Sequence, residues 1–273
     1  MKELENLKQT ILKEYPRLCV GDKFKFACHP DVSCFNDCCN DVNIFLTPYD
    51  IIRMKNNLGI SSNEFLAKYT ITPIEKNQRH PVVMMKMTED EKTQCHFVTD
   101  KGCSIYNDRP WPCRMYPLGS ASPSEGNIED KEFFFLMKED ICKGFEENSE
   151  WTVEEWMDNQ GAGLYNEMGE YFKQISLHPW FDTGQQLSPE KMDMFHLVCY
   201  NIDKFRRFML ESTFLDKFDV DEDIVEKIKT DDIVLFKFGI EWLKFSLFGE
   251  KTMKVKGEVA ESVKKKSENN NKH

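Results

Sequence analysis

Eight cysteines between residues 28 and 142 are the residues of this chain best suited to chemistry. They follow the spacings C-x5-C-x3-C-C, then C-x7-C-x9-C, then a single cysteine in Cys-Lys-Gly-Phe. Thiolates are soft, charged ligands that suit zinc and iron–sulfur centres, and several must converge to saturate either centre. The cluster therefore predicts a metal-binding protein. The candidate ligands are Cys28, Cys34, Cys38, Cys39, Cys95, Cys103, Cys113 and Cys142.

The spacing favours an iron–sulfur centre over a mononuclear zinc site. Zinc sites commonly use tight C-x2-C turns, and no C-x2-C occurs here. We expect adjacent Cys38 and Cys39 to point apart on extended backbone, which would make it awkward for both to bind one tetrahedral ion. The favoured cofactor is an iron–sulfur cluster of the 4Fe-4S type, with zinc as the alternative. Eight cysteines allow either two four-cysteine sites or one such site with four supporting thiols.

Motifs that would identify a reaction are missing from the sequence. The radical-SAM spacing C-x3-C-x2-C is absent, because Cys39 follows Cys38 directly. The ferredoxin run of C-x2-C repeats, the dinucleotide fingerprint and the P-loop are absent too. We therefore expect a redox or cluster-dependent enzymatic role, with catalytic residues and substrate open. The rival hypothesis is a zinc-stapled structural or interaction module, which would unfold when the metal is removed.

Cysteines and histidines near the cluster also have structural explanations. Cys199 lies on an apolar helical stripe, which indicates core packing, and Cys19 leans towards a structural role. His29 and His96 adjoin cluster cysteines. Side chains adjacent in sequence often point away from each other, so supporting or surface roles are favoured over ligation.

Two arginines near Cys113 could act on the cluster. Arg109 and Arg114 could donate hydrogen bonds to cluster sulfur and offset the thiolate charge. Salt bridges to Asp108 or to nearby acids are an equally good interpretation.

The net charge of −11 makes a nucleic-acid partner unexpected, because a negative field repels phosphate. We find no apolar run of membrane-spanning length and no secretory signal, so we expect a cytoplasmic protein without a membrane partner. A reducing cytoplasm agrees with cysteines that bind metal rather than form disulfides. The redox or protein partner and the oligomeric state stay open.

Local signals predict an α+β protein: a loop-rich cysteine domain with short strands, and a mainly helical C-terminal region. Capping residues and periodicity predict helices over 47–57, 61–69, 152–175 (with a possible kink at Gly161 and Gly163), 188–211, 221–229 and 231–248. Strands are expected over 82–87, 95–98 and 133–137. The predicted regions are an N-terminal helix at 1–18, the cysteine domain at 19–148, the helical region at 149–250 and a disordered tail at 251–273.

Several separated motifs resemble one known family. Cys34-x3-Cys38-Cys39 and the following Leu46-Thr47-Pro48-Tyr49-Asp50 resemble the YkgJ-type cysteine-cluster family, described as a zinc- or iron-chelating domain. The stretches 102–110 and 113–117 look like its second signature, and Cys142-Lys143-Gly144 resembles its closing motif. The family's short pattern is C-x2-C-x2-C-C, and the corresponding cysteines of this chain are spaced more widely. The resemblance covers residues 25–145 and implies metal binding. A similar cluster in flagellin lysine N-methylase adds protein-lysine methylation as a second alternative.

Overall fold

The structure, a computed structural model, describes residues 17–73, 78–121 and 133–257. Most of the predicted N-terminal helix at 1–18 and most of the predicted disordered tail at 251–273 lie outside these residues. The α-helices of the described parts are α1 (Pro48–Leu58), α2 (Ser62–Tyr69), α3 (Trp111–Met115), α4 (Val153–Asn159), α5 (Gly163–Ser176), α6 (Pro189–Tyr200), α7 (Ile202–Glu211), α8 (Phe214–Lys217), α9 (Glu222–Ile228) and α10 (Asp232–Leu243).

Nine short strands accompany these helices. Three two-stranded antiparallel sheets pair β1 with β9, β5 with β6, and β7 with β8, and a further sheet has the order β2-β4-β3. Helices together with small sheets confirm the predicted α+β class. The strands are β1 (Lys23–Lys25), β2 (Phe45–Leu46), β3 (Thr70–Ile71), β4 (Val83–Met85), β5 (Val98–Thr99), β6 (Gly102–Cys103), β7 (Leu118–Ala121), β8 (Phe133–Leu136) and β9 (Glu150–Thr152).

The chain forms two compact units that are not consecutive in sequence. The first, which we call the cysteine unit, contains Met1–Phe45 and Met85–Asn166, and the second, the helical unit, contains Leu46–Met84 and Glu167–His273. All eight candidate ligands belong to the cysteine unit. The segment between Cys39 and Cys95 therefore packs largely with the helical unit.

The cysteine unit has an apolar core under its loops. Phe26 contributes most to it, with ring centroids 5.4 Å from Trp156 and 5.8 Å from Tyr116. The Trp156 indole N–H donates to the Met115 carbonyl at 3.1 Å, so its polar atom is satisfied. The buried core residues are Phe24, Phe26, Met115, Leu118, Phe134, Val153, Trp156 and Ala162.

Buried aromatic and aliphatic side chains of α6, α7 and α10 form the core of the helical unit. Gly239 in α10 permits close approach: a Cβ there would lie 2.6 Å from Val198 and 2.9 Å from Phe205. The unit also contains a buried charge network. Lys55 is 5% exposed and pairs with Asp232 at 3.0 Å and with Asp203 at 3.4 Å, and Arg206 pairs with both carboxylates.

Local capping signals predicted several helix starts correctly. Thr47 and Asp50 form the predicted capping box, and Gly59 ends α1 in the left-handed conformation. The single helix predicted over 152–175 with a kink at Gly161 is instead two helices, α4 and α5, and Gly161 lies between them with φ +61. The predicted strand over 82–87 is shorter, at Val83–Met85.

Two predicted elements differ from the structure. The single helix predicted over 188–211 is wrong, because the chain breaks between α6 and α7 at Asn201, whose side chain caps α7 by accepting from the Lys204 N–H. The strand predicted over 95–98 is displaced to β5, and Cys95 itself forms only an isolated bridge with Met87. The helix predicted over 231–248 continues past α10 as a π-helical turn, Lys244–Phe248, which Gly249 ends.

Candidate metal centre

The eight candidate ligands lie on loops and short turns of the cysteine unit. Cys28 and Cys34 are on the loop after β1, and Cys38 and Cys39 are in the 3-10 turn Asp37–Cys39. The other four are at the bridge to Met87 (Cys95), in β6 (Cys103), in α3 (Cys113) and immediately before the 3-10 turn Lys143–Glu146 (Cys142).

Four of the cysteines line one cavity of about 30 Å³. It is far smaller than the roughly 300 Å³ or more of a typical site for an organic cofactor. Its walls combine thiols with aromatic and aliphatic side chains and one carboxylate, that of Asp37. We call the four cysteines the cavity set: Cys28, Cys34, Cys38 and Cys142.

Backbone pairing brings the two ends of the cavity set together. The antiparallel pair of β1 and β9 aligns the chain before Cys28 with the chain after Cys142. The pairing continues as the Ala27 N–H donates to the Gly144 carbonyl at 3.0 Å. The Lys143 N–H then donates to Cys34 Sγ at 3.1 Å, which is a backbone donor aimed at a candidate ligand.

The position of Gly144, two residues after Cys142, leaves no room for a side chain. A Cβ at this position would lie 2.6 Å from the Ala27 carbonyl oxygen and 2.6 Å from the Phe26 ring. Contacts this short are forbidden, so only glycine lets the Cys142 segment approach the Cys28 segment this closely.

Mutual repulsion acts among the thiols of the cavity set. Loss of hydration and the charges of Cys38, Cys34 and Cys142 together raise the pKa of Cys28 to about 11, against a smaller lowering by the Arg109 guanidinium. These groups are therefore close enough to oppose each other as thiolates. A bound cation would remove that opposition and displace the protons, as thiolate metal sites do.

A tyrosine that the sequence interpretation did not single out lies beside Cys142. Tyr116 lines the cavity, and its buried hydroxyl has no hydrogen-bond partner within the described ranges that meets ordinary geometry. Burial raises the pKa of Tyr116, and so does the neighbouring Cys142 thiol. An orphaned buried donor facing sulfur fits a site in which Cys142 is a metal-bound thiolate that accepts this O–H. Its position three residues after Cys113 was the only sequence signal.

Backbone pairing connects three of the other four cysteines, none of which lines the cavity. The Cys95 N–H donates to the Cys39 carbonyl at 2.9 Å, and the Val98 N–H donates to the Cys95 carbonyl at 3.1 Å. Val98 is paired with Cys103 across β5 and β6. We call Cys39, Cys95, Cys103 and Cys113 the outer set.

Electrostatic interactions link the outer set further. The hydrogen bond to Cys38 raises the pKa of Cys39 most, followed by burial and by the charges of Cys38, Cys113 and Cys95. Burial raises the pKa of Cys95, and the charge of Cys103 adds to the effect. Burial also raises the pKa of Cys103.

The adjacent cysteines do not lie on extended backbone, so that expectation was wrong. Cys38 and Cys39 occupy a 3-10 turn, and the Cys39 thiol hydrogen-bonds to Cys38, which lowers the pKa of Cys38 to about 7. Nevertheless only Cys38 belongs to the cavity wall. The two side chains thus touch while belonging to different sets.

The described parts of the chain contain no group of three or more Cys, His, Asp or Glu side chains arranged to hold a metal ion as they stand. The histidine beside Cys28 points to acids instead, with His29 ring nitrogens 3.8 Å from Asp31 and 3.6 Å from Glu147. Ligation therefore requires the thiol side chains to rotate towards a shared centre. The donor chemistry nevertheless fits zinc or iron, since each set offers four thiols.

The two arginines contact oxygen atoms and aromatic rings, and both interpretations of their role stay predictions. Arg109 donates to the Tyr106 carbonyl and to Gln160, and Arg114 donates to the carbonyls of Gln160 and Asn107. Both arginines are 6% exposed. Arg114 also donates to the Tyr165 hydroxyl and lies over the Tyr165 ring. Arg109 lies over the Tyr106 ring, so the two arginines have aromatic as well as oxygen partners. They line a polar cavity of about 290 Å³ together with Tyr106, Asn107, Asp158, Asn159, Gln160 and Gly161.

The remaining cysteines lie apart from both sets. Cys199 is 2% exposed in the core of the helical unit, which confirms its predicted packing role. Cys19 is exposed, and its backbone N–H donates to Asp22.

Residues 27–153 match the model of the CxxCxxCC family, whose description is "putative zinc- or iron-chelating domain". The match covers slightly less than half of the chain, and we call the matched segment the CxxCxxCC domain. It includes all eight candidate ligands, and the description of the matching model supports metal binding through cysteines. Comparisons with curated proteins and with solved structures find no match. The similarity to flagellin lysine N-methylase stays a prediction. No helix within the described ranges is long and apolar enough to span a membrane.

Proposed function

We propose that the CxxCxxCC domain holds an iron–sulfur cluster on the cavity set and serves redox chemistry or a cluster-dependent reaction. The observation that carries the proposal is that four thiols from two distant segments line one cavity. Four cysteine thiolates are the usual ligand set of a 4Fe-4S cluster. Such a cluster supplies one-electron chemistry when bound.

Two donors beside sulfur fit a thiolate-bound centre on the cavity set. The Lys143 N–H already donates to Cys34 Sγ, and the Tyr116 hydroxyl lies beside Cys142. Hydrogen bonds to ligand sulfur tune the potential of iron–sulfur clusters, and they compensate the charge that four thiolates bring. Phe26, Val32 and Ile141 form an apolar wall that limits water at the same cavity.

Each residue of the cavity has a definite task in this proposal. The four thiolates bind the metal, the Lys143 N–H and Tyr116 orient and stabilise two of them, and Gly144 permits the close approach of the two segments. Cys28 and Cys38 are solvent-exposed residues, so the proposed cluster lies near the surface, where an electron partner can reach it.

The test is the content of iron, zinc and acid-labile sulfide in protein purified without oxygen, together with a visible spectrum. Iron and sulfide in matching amounts with brown colour support the proposal. Stoichiometric zinc without sulfide refutes it and favours the zinc-stapled module.

Substitutions assign the ligands in the same assay. Cys34→Ser and Cys142→Ser should lose the metal of the cavity set, whereas Cys19→Ser, at an exposed cysteine outside the matched residues, should keep it. Full metal retention in both cavity variants would refute this ligand assignment.

A further inference from the structure

Half of the cysteines in the CxxCxxCC domain do not line the cavity, and they are not scattered. The Cys39 and Cys95 backbones are hydrogen-bonded at 2.9 Å, and Cys103 follows through the β5–β6 pair. Cys113 lies within electrostatic reach of Cys39. Four segments of the chain thus bring four further thiols into one neighbourhood.

A buried arginine lies within electrostatic reach of two cysteines of the outer set. The Arg109 guanidinium is buried, and the charges of Cys113 and Cys103 interact favourably with it, whereas Arg114 repels it. The two guanidinium groups lie over the Tyr106 and Tyr165 rings and line a cavity together with Asp158, and further negative charge beside Arg109 would lower the cost of its burial. Thiolates at Cys103 and Cys113 would supply that charge, and a bound metal keeps thiolates ionised at neutral pH.

We propose that Cys39, Cys95, Cys103 and Cys113 bind a second metal centre, separate from the centre on the cavity set. The domain then holds two four-thiolate centres that meet at the adjacent residues Cys38 and Cys39. This inference rests on the proposed metal-binding function, but it holds for zinc as well as for iron–sulfur clusters.

The contact between Cys38 and Cys39 gives the arrangement a measurable consequence. One residue of the pair belongs to each set, so two iron–sulfur clusters would be only a few covalent bonds apart. Two reduced clusters at that separation interact magnetically. Their electron paramagnetic resonance spectrum should differ from the sum of the spectra of the two single-centre variants.

The experiment counts metal per chain in the wild-type protein, in Cys34→Ser and in Cys103→Ser, all purified without oxygen. We expect each variant to contain about half of the wild-type metal, because each substitution disables one set. With iron, the wild-type protein should contain about eight iron and eight sulfide per chain, as expected for two 4Fe-4S clusters. With zinc, it should contain two ions, and each variant one.

The outcomes separate this inference from the proposed function. Two zinc ions without sulfide would refute the iron–sulfur identity and support two centres. About four iron with four sulfide in the wild-type protein, or one zinc, would overturn the second centre and leave metal binding intact. A variant that loses all metal while its circular dichroism and that of Cys19→Ser remain native would also overturn it. The wild-type count decides the question even if a variant fails to fold.

Discussion

Replacing Gly144 with alanine tests whether the junction of the Cys28 and Cys142 segments builds the metal centre. The added Cβ would lie 2.6 Å from a backbone oxygen of Ala27 and 2.6 Å from the Phe26 ring. The ring can move slightly, but the Ala27 carbonyl is the backbone of a residue that is itself held in place, because its N–H donates to the Gly144 carbonyl. To remove the clash with the added Cβ, the Cys28 and Cys142 segments must therefore separate by several tenths of an ångström.

The expected cost is that of overpacking, about 1 to 3 kcal/mol of the free energy of unfolding. At about 2 to 4 °C per kcal/mol, the midpoint of thermal unfolding should fall by roughly 2 to 12 °C. The same separation moves Cys142 away from Cys28 and Cys34, so we expect Gly144→Ala to contain less metal than the wild-type protein.

The matched control is Gly163→Ala in the same unit, where a Cβ would meet nothing within 4 Å. This control should keep its metal and be unchanged or more stable by up to about 1 kcal/mol, because alanine favours helix. Metal content and thermal unfolding are measured on both variants in parallel. A Gly144→Ala protein with wild-type metal and midpoint would refute the packing argument.

Three further predictions concern side chains whose surroundings are equally well defined. Tyr116→Phe should keep the metal but lower the reduction potential of the cluster by about 20 to 60 mV in a redox titration. The reason is that the reduced cluster is more negative, and the substitution removes a hydrogen bond that stabilises it by about 0.5 to 1.5 kcal/mol. Lys55→Met should destabilise the helical unit by about 2 to 3 kcal/mol in urea unfolding, below the usual cost of a broken buried pair because Arg206 still pairs with both aspartates. Burial lowers the pKa of His80, so below about pH 6.5 the unfolded state binds more protons than the folded state. The free energy of unfolding should therefore fall as the pH drops from about 7 to about 5.5. His80→Phe should make this fall smaller.

Each of these predictions has an outcome that would contradict it. An unchanged or raised potential in Tyr116→Phe would show that this hydroxyl does not donate to a cluster ligand. Lys68→Met, at an exposed lysine, is the control for Lys55→Met, and equal stability of the two variants would contradict the buried network. His80 stacks on Phe195 with centroids 4.9 Å apart. A pH profile that is the same with phenylalanine at this position would assign the acid sensitivity to other groups.

Elements set by local chemistry could be predicted from the sequence. Thr47, Pro48 and Asp50 satisfy the first turn of α1 with side chains from the same four residues, so no distant contact is needed. The break at Asn201 could not be predicted this way, because the apolar periodicity of α6 runs on into α7. The reason for the break is partly distant, since Ser62 donates to the Asn201 side chain at 3.0 Å.

The grouping of the candidate ligands also depends on distant contacts. Spacing predicted that the cysteines bind metal, but it could not show that Cys142 belongs with Cys28 and Cys34. That grouping comes from the pairing of β1 with β9 and from the close approach at Gly144. Cys38 and Cys39 show the opposite case, since neighbours in sequence are divided between two sets.

Metal ligation and folding of the cysteine unit are linked by the distances along the chain between ligands. Cys39 and Cys95 are separated by a segment that packs largely with the helical unit, so holding both at one centre closes a loop of about 56 residues. Closing such a loop costs about 4 kcal/mol of chain entropy. The buried core around Phe26 meets part of that cost. A thiolate centre contributes more, since structural zinc in small domains binds with about 10 to 16 kcal/mol. Under the proposal of two centres, a bound metal would therefore stabilise this unit whether it is zinc or an iron–sulfur cluster.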